Sequence, residues 1–596
     1  MLELLMGNQA IAMGAIRAGV GVVTGYPGTP STEIIETIAK KNPGHIYVEW
    51  SVNEKSALEV AAGAAYTGAR SLVTMKQVGL NVASDPLMSL AYIGVKGGMV
   101  IVVADDPGPV SSQTEQDTRH FARFSKLPVF DPSSPEEAYL MIGDAFDYSE
   151  KYNTPVLFRP TTRVCHGCAS IDLDEIRSEV QVEGFIKNPK WVIFPRLAYQ
   201  NHLKIEARQP ILGEDFSSYR FNSVSGSGKK GIATGGISYA YTREAFQEID
   251  RECKLLKVAT PHPFPETLAL EFLAGLDEVL VVEELDPVIE RELVYLCGKY
   301  HLSVKVYGKL THHIQHAGEN TVESVAKAVA IFLNIPVSES KNPVALPLLP
   351  IRPPVLCAGC PHRASFYAVK QAMKDKKAVF SGDIGCYTLG NASPLDMVDT
   401  CLCMGAGVTI AQGLHRAEPN VVNFAFIGDS TFFHSGITGV INAVYNQTDI
   451  VLIILDNVTT AMTGHQPHPG TGNTLMGNIA EKISISAVLK ALGVKHVVTQ
   501  DPLDLAQAVA AVKEAVAFKG ISAVIFKSPC IAVVKPSAAY LVDSEKCSGC
   551  RQCIEALGCP AFAMVGNQMK IDPATCNGCS ICAQVCPFDA IGGAQS

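Results

Sequence analysis

Residues 423–457 read NFAFIGDSTFFHSGITGVINAVYNQTDIVLIILDN. Two apolar runs, NFAFIG and DIVLIILD, flank a stretch of helical character, and a Gly-Asp-Ser turn follows the first run. Short apolar runs bounded by turn signals are the pattern of fully buried parallel strands. A strand, a helix and a second strand joined by a right-handed crossover run parallel, so both strands end at the same edge of the sheet. Asp429 closes the first strand and Asn457 the second. That edge is where open α/β sheets bind ligands. A carboxylate and an amide oxygen make a hard-oxygen pair suited to Mg2+, which bridges to a diphosphate. Helix N-termini at the same edge favour phosphate as well. Gly428-Asp429-Ser430 taken alone is a plain turn; the βαβ frame and Asn457 are what point beyond that.

Working outward, the surrounding residues 355–535 form one α/β block. Residues 1–165 form another. GVGVVTGYPGTP is a strand entering a Gly/Pro turn, STEIIETIAKK and NEKSALEVAAGAAYTGA are helices, and SLVTMK and GGMVIVVADDPGP are buried strands. Residues 166–228 read as an irregular connecting segment ending in SVSGSGKK, and 229–335 as a further α/β block. The Pro-rich stretch SESKNPVALPLLPIRPPV precedes the opening block. The whole is 596 residues, 47% apolar and 18% charged, in keeping with several domains that each bury a core. No apolar run has the length a membrane helix needs. The N-terminus lacks a basic start and a cleavage site, so no signal peptide is expected. A formal charge of −9 argues against nucleic acid and anionic membrane surfaces as partners.

Eight of the 18 cysteines crowd into residues 540–596. They form Cys547-x2-Cys550-x2-Cys553 with Cys559-Pro560, then Cys576-x2-Cys579-x2-Cys582-x3-Cys586-Pro587. Clustering at one end, without a secretion signal, favours metal ligation over a disulfide framework. The triple run is the spacing of iron–sulfur cubanes, in which the fourth thiolate of each cluster comes from the other motif. This assigns Cys547, Cys550, Cys553 and Cys586 to one [4Fe-4S] cluster and Cys559, Cys576, Cys579 and Cys582 to the other. Zinc is the competing reading, but its sites rarely use this run. The gap from Cys553 to Cys559 holds five residues, longer than usual. The segment resembles an α+β two-cluster ferredoxin domain of the bacterial kind.

Further resemblances follow from quoted residues. Asp429 and Asn457 resemble the Gly-Asp-Gly…Asn motif of thiamine diphosphate enzymes, with Ser430 at the third position. The resemblance implies that Gly428 belongs to the cofactor turn and that the backbone carbonyl of Thr459 completes the Mg2+ site. SGDIGCYTLG (381–390) and CMGAGVTIAQGL (403–414) are glycine-rich turns of the same block, with Gly385 and Gly405 as points of close backbone approach to the cofactor. VNEKSALEVAAGAAYTGAR resembles the pyrimidine-domain helix of 2-oxoacid:ferredoxin oxidoreductases, which implies that Glu54 hydrogen-bonds the aminopyrimidine and handles its proton. GYPGTPSTE resembles the Tyr-Pro-x-Thr-Pro turn of that family, which implies that Thr29 reaches the substrate carboxylate. CAGCPHR, IGCYT and SPC supply Cys357, Cys360, Cys386 and Cys530 in the order of the family's buried cluster near thiamine, which implies a third, proximal [4Fe-4S] cluster. Cys165-x2-Cys168 has no partner pair and reads as free thiols, Cys401 and Cys403 flank the cofactor turn without cluster spacing, and Cys253 and Cys297 read as packing. His434, His465 and His468, near the thiamine motif, read as core or surface histidines, the alternative being proton transfer or lining of the substrate pocket.

Taken along its length, the chain resembles the alpha subunits of the indolepyruvate ferredoxin oxidoreductase family. The resemblance implies a pyrimidine-binding thiamine domain at 1–165, a transketolase-C-terminal-like domain at 229–335, a diphosphate-binding domain at 355–535 and the ferredoxin-like tail at 540–596. It further implies oxidative decarboxylation of an arylpyruvate such as indole-3-pyruvate, with CoA, to arylacetyl-CoA and carbon dioxide. Electrons would pass through the clusters to ferredoxin. A smaller beta subunit, an (αβ)2 assembly and an anaerobic cytoplasm complete the expectation. Another 2-oxoacid, such as phenylpyruvate or a branched-chain acid, stays open because pocket shape decides substrate. Non-oxidative decarboxylation would leave the tail cysteines without purpose, and a non-catalytic electron carrier would leave Glu54, Asp429 and Asn457 without one.

Overall fold

Ser71–Lys76 and Met99–Ala104, two apolar runs without polar alternation, are paired in parallel and almost wholly buried. Such runs form when helices cover both faces of a sheet. They are the centre of six parallel strands in the order Tyr47–Trp50, Val22–Gly25, Ser71–Lys76, Met99–Ala104, Val156–Phe158 and Val129–Phe130. From Val22–Gly25 the chain steps to one side, to Tyr47–Trp50, and then to the other, to Ser71–Lys76. That reversal leaves a crevice at the carboxyl edge between the loops following Gly25 and Lys76. The helix Glu54–Tyr66 starts where the Asn53 side chain accepts the Ser56 amide at 2.8 Å. It lays Ala57, Ala61 and Ala65 on the sheet, each fully buried, and their small size lets helix and sheet approach closely.

The model is a computed structural model and describes residues 2–174, 182–247, 252–336, 347, 349–350 and 352–593. The chain divides into two units, Met1–Ala345 and Leu346–Ser596. The first holds the six-stranded sheet and a second one, ordered Lys305–Tyr307, Glu278–Val282, Lys230–Gly235, Lys254–Val258 and Ser223–Ser225, parallel except for its last strand. Buried ion pairs tie the two together: Arg119 joins Asp117 to Glu283 at 2.6 and 2.8 Å. The segment 166–228 is less irregular than its sequence suggests. Cys168–Asp172 pairs antiparallel with Leu2–Met6, and Pro195–Ser217 is a 23-residue helix. That helix hid because it buries only Ile205, Leu212, Gly213 and Phe216 and carries Pro210 inside, so it shows no continuous apolar stripe.

The second unit is built on five parallel strands ordered Ala378–Ser381, Val422–Gly428, Val451–Asp456, Ser522–Lys527 and His496–Gln500. The tail that follows is two short antiparallel pairs, Tyr540–Val542 with Ile591–Gly593 and Phe562–Val565 with Gln568–Ile571. Two brief helices, Gln552–Leu557 and Ile581–Val585, lie between them. The cysteine runs repeat one backbone shape. Gly549 and Arg551 have φ of 72° and 62°, and Gly578 and Ser580 have 70° and 65°. The longer gap after Cys553 is taken up by the first of these helices. Among the described residues no helix is long and apolar enough to cross a membrane, and all 18 cysteines are free.

Candidate active site

In the second unit, the register pairs Gly428 with Leu455, so Asp429 and Asn457 emerge together at the carboxyl edge. Both are buried, as is Thr459. Asp429 is held by backbone amides on two sides. Its Oδ1 accepts the Ser430 N–H and its Oδ2 the Val458 N–H, each at 2.8 Å. The second bond crosses from one strand end to the next. Val458 has φ of 62°, a left-handed backbone at a β-branched residue. Such strain is of order 1–3 kcal/mol and persists only where the surroundings enforce it. Here the Asp429 carboxylate supplies one of the restraints. The Asn457 carbonyl accepts the Cys530 N–H at 3.0 Å, linking this edge to the block's last cysteine.

Three further groups complete this edge. His468, read as core or surface, brings Nε2 to 3.1 Å from Asp429 Oδ2. His362 brings Nε2 to 3.4 Å from Asn457 Nδ2, and burial pushes its pKa down to about 4, so the ring is neutral at neutral pH. Asp383 accepts the Gly405 N–H at 2.9 and 2.8 Å and so ties the two glycine-rich turns together. Burial pushes that carboxyl up to about 8. The glycines have their own constraint. A Cβ at Gly385 or Gly428 would come within 2.3 or 2.7 Å of the Tyr387 ring. One at Gly405, at φ of 83°, would meet Ser435 Oγ at 2.2 Å. Packing within the protein thus already demands glycine at all three, whatever they do for a cofactor. The donor chemistry of this edge, a buried carboxylate beside an amide and a free backbone carbonyl, fits Mg2+ and a diphosphate.

In the first unit, Glu54 opens its helix with a buried side chain. It lies against Gly79, where a Cβ would stand 2.6 Å from Glu54 Oε1. Thr29 is half-buried in the loop after Val22–Gly25, and its carbonyl accepts the Ser111 hydroxyl at 3.3 Å. Across the crevice, the Lys76 side chain runs beside Gly28, where a Cβ would sit 3.0 Å from its Cδ. Burial lowers the Lys76 pKa, and Asp106 and Glu54 oppose that shift. Gln77 is fully buried and its Oε1 has no hydrogen-bond partner. A crevice with a buried carboxyl, an amide oxygen left open and a glycine-cleared wall fits a flat heterocycle that offers N–H donors and nitrogen acceptors.

The cysteines gather into the expected sets. Cys559, Cys576, Cys579 and Cys582 line one cavity of the tail, and Cys547, Cys550, Cys553 and Cys586 line another. Cys357, Cys386 and Cys530 are electrostatic neighbours, and Cys360 neighbours Cys357. Zinc–sulfur bonds near 2.3 Å would draw thiolates to within about 4 Å of one another. Among the described residues the one group of three donor atoms gathered within 4.8 Å is Asp117, His120 and Asp286, so none of the cysteine sets is drawn in that tightly. Burial pushes the thiols of Cys360 and Cys582 up to about 12 and that of Cys386 to about 11, so these sites hold neutral thiols unless metal takes the proton's place.

Comparison with known proteins agrees along the chain. Residues 13–210 match the family described as pyruvate flavodoxin/ferredoxin oxidoreductase, thiamine diP-binding. Residues 383–526 match the thiamine pyrophosphate enzyme, C-terminal TPP binding domain, and 569–592 the 4Fe-4S binding domain. The indolepyruvate oxidoreductase subunit IorA of Methanothermobacter thermautotrophicus is 42% identical over 98% of this chain and 96% of its own length. Its namesakes from Pyrococcus horikoshii and Archaeoglobus fulgidus are 40% identical over 98% and 96%, and 41% identical over 99% and 97%. With thiamine-binding domains, an iron–sulfur domain and relatives of this identity over nearly its full length, the chain belongs to the IorA family of 2-oxoacid oxidoreductase subunits, which oxidise with thiamine and pass electrons through iron–sulfur clusters.

Proposed function

We propose that the chain oxidatively decarboxylates arylpyruvates, indole-3-pyruvate foremost, with CoA. The balance is arylpyruvate anion plus CoA-SH giving arylacetyl-CoA, carbon dioxide, one proton and two electrons. The names of its relatives support the substrate, and their naming as a subunit supports a partner chain; the family resemblance implies that this partner is smaller and the assembly (αβ)2. Ferredoxin is the electron acceptor and a reducing, anaerobic cytoplasm the setting, in keeping with 18 free cysteines.

Thiamine diphosphate supplies, when bound, a carbon centre that can hold negative charge once carbon dioxide leaves. Glu54 would hydrogen-bond its aminopyrimidine ring nitrogen and hold the proton there. Thr29 would bind the substrate carboxylate. Asp429, Asn457 and the Thr459 carbonyl would hold Mg2+ against the diphosphate, while Gly385, Gly405 and Gly428 shape the turns around it. The three cysteine quartets would hold three [4Fe-4S] clusters: the proximal one on Cys357, Cys360, Cys386 and Cys530, the other two in the tail. The observation that carries this reading is the Asp429 carboxylate locked across two strand ends beside Asn457, whose carbonyl accepts the Cys530 N–H.

The test is an anaerobic assay of the chain co-expressed with its small subunit, using a panel of 2-oxoacids, CoA and a one-electron dye. Dye reduction and carbon dioxide release should both require CoA and be fastest with arylpyruvates. Carbon dioxide release without CoA or dye reduction would mean non-oxidative decarboxylation, and a preference for branched-chain acids would reassign the substrate.

A further inference from the structure

Arg363 is a buried cation with no carboxylate in ion-pair contact among the described residues. It lies in the helix Pro361–Ala372, three residues past Cys360, and is 4% exposed. Its guanidinium forks across two segments far apart in sequence. Nη1 donates to the Leu557 carbonyl and, at 3.1 Å, to that of Gly558. Nη2 donates to the carbonyls of Leu356 and Cys357, at 2.5 and 3.5 Å. Nε is buried with no partner at all. Among the described residues no ion pair involves Arg363. After burial, the largest influences on its charge are four thiols: Cys559, Cys360, Cys579 and Cys357. Two belong to the C-x-x-C of the diphosphate block and two to the tail.

The same contact is seen from the tail. Asn577, between Cys576 and Cys579, donates to the Ala358 carbonyl at 2.8 Å. Gly359, at φ of 76°, leaves room for it, since a Cβ there would stand 2.7 Å from Asn577 Cβ. Arg363 lines the cavity of Cys559, Cys576, Cys579 and Cys582 but not that of Cys547, Cys550, Cys553 and Cys586.

A guanidinium does not give up its proton, and carbonyl dipoles alone do not balance a buried charge. The balancing anion must therefore come from what the cysteines hold. A cubane with its four thiolates is a net anion, and reduction adds one more negative charge. We propose that Arg363 is the fixed counter-charge shared by the Cys357/Cys360/Cys386/Cys530 and Cys559/Cys576/Cys579/Cys582 sites, and that it favours the reduced state of both over that of the Cys547/Cys550/Cys553/Cys586 site. This rests on the cluster reading above. Arg363 stands where one electron passes from the first site to the second, the first losing it and the second gaining it, with no proton moved. Holding both potentials up together keeps that transfer near balance while the charge helps draw electrons out of the chemistry.

The test is a redox titration of the assembled holoenzyme followed by electron paramagnetic resonance, with iron and acid-labile sulfide measured on each sample. Arg363→Gln should lower the equilibrium constant for reduction at two of the three sites by about tenfold, which is 59 mV for a one-electron couple, and leave the third in place. Arg363→Lys keeps the charge without the four-carbonyl fork, so its potentials should stay near wild type. Three intact clusters with unmoved potentials in Arg363→Gln would overturn the proposal, as would an equal drop in Arg363→Lys. Should the Gln variant lose iron, Arg363→Met, of similar length and without charge, is titrated in its place and judged by the same criterion. A wild-type protein with fewer than three cubanes would instead sink the cluster reading itself.

Discussion

The two wholly parallel sheets, one in each unit, follow the same rule and end in different chemistry. The six-stranded sheet presents Glu54 and Thr29, and the sheet of Val422–Gly428 and Val451–Asp456 presents Asp429 and Asn457. The difference lies in what holds each acid. Asp429 is held by main-chain N–H groups within thirty residues of its own position, at Ser430 and Val458. Glu54 depends on space cleared by Gly79, on another helix. The main-chain amides fix the direction of the Asp429 carboxylate at the strand ends, while Gly79 leaves the Glu54 carboxyl room beside the half-buried Lys76. One topology thus serves two purposes, decided by a few side chains at the carboxyl edge.

Substitution can break that division of labour. Glu54→Gln preserves shape and removes the proton carrier. Turnover should fall by about 10²–10⁴, the usual worth of a general acid–base group, while thiamine and iron content stay at wild-type levels. Normal turnover would reassign the proton to another group. Asp429→Asn should act on binding instead. Titration calorimetry with Mg2+ and thiamine diphosphate should show affinity weaker by at least about 10–100-fold, the range seen on losing even a supporting partner of a metal site. Unchanged affinity would place the metal elsewhere. The smallest effect concerns Asp383, whose pKa burial raises to about 8. The folded state then holds a proton that the unfolded chain has released above about pH 4. Stability from this group is present below that pH and is lost as pH rises toward 8. Asp383→Asn should flatten that decline by up to about 1.4 kcal/mol per pH unit. Parallel unfolding midpoints for both proteins across pH 5 to 8 would count against it.

The uneven legibility of the site follows from the same contrast. Asp429, Asn457 and the eight tail cysteines could be read because their partners are near in sequence and spacing carries the geometry. Glu54 was readable through resemblance, but Gly79, which makes room for it, was not. His468 reaches Asp429 from an irregular stretch 39 residues on, and His362 reaches Asn457 from 95 residues before. No periodicity announces such contacts. Gly385, Gly405 and Gly428 were read as openings toward a cofactor, yet neighbours in the protein, Tyr387 and Ser435, already require them. The helix Pro195–Ser217 escaped notice because a mostly exposed helix lacks the apolar repeat that marks one.

What the amino-acid order alone determined was the run of parallel strands, the edge on which Asp429 and Asn457 emerge, and the grouping of the tail thiols. These are consequences of short-range rules: strand period, crossover handedness and ligand spacing. Only the tertiary structure decided that Arg363 spans Leu356 and Leu557, that Asn577 seats against Ala358, and that Asp383 ties Gly405 to its turn. Those contacts join segments up to about two hundred residues apart, and each exists because a buried polar group must find a partner wherever the packed chain brings one within reach.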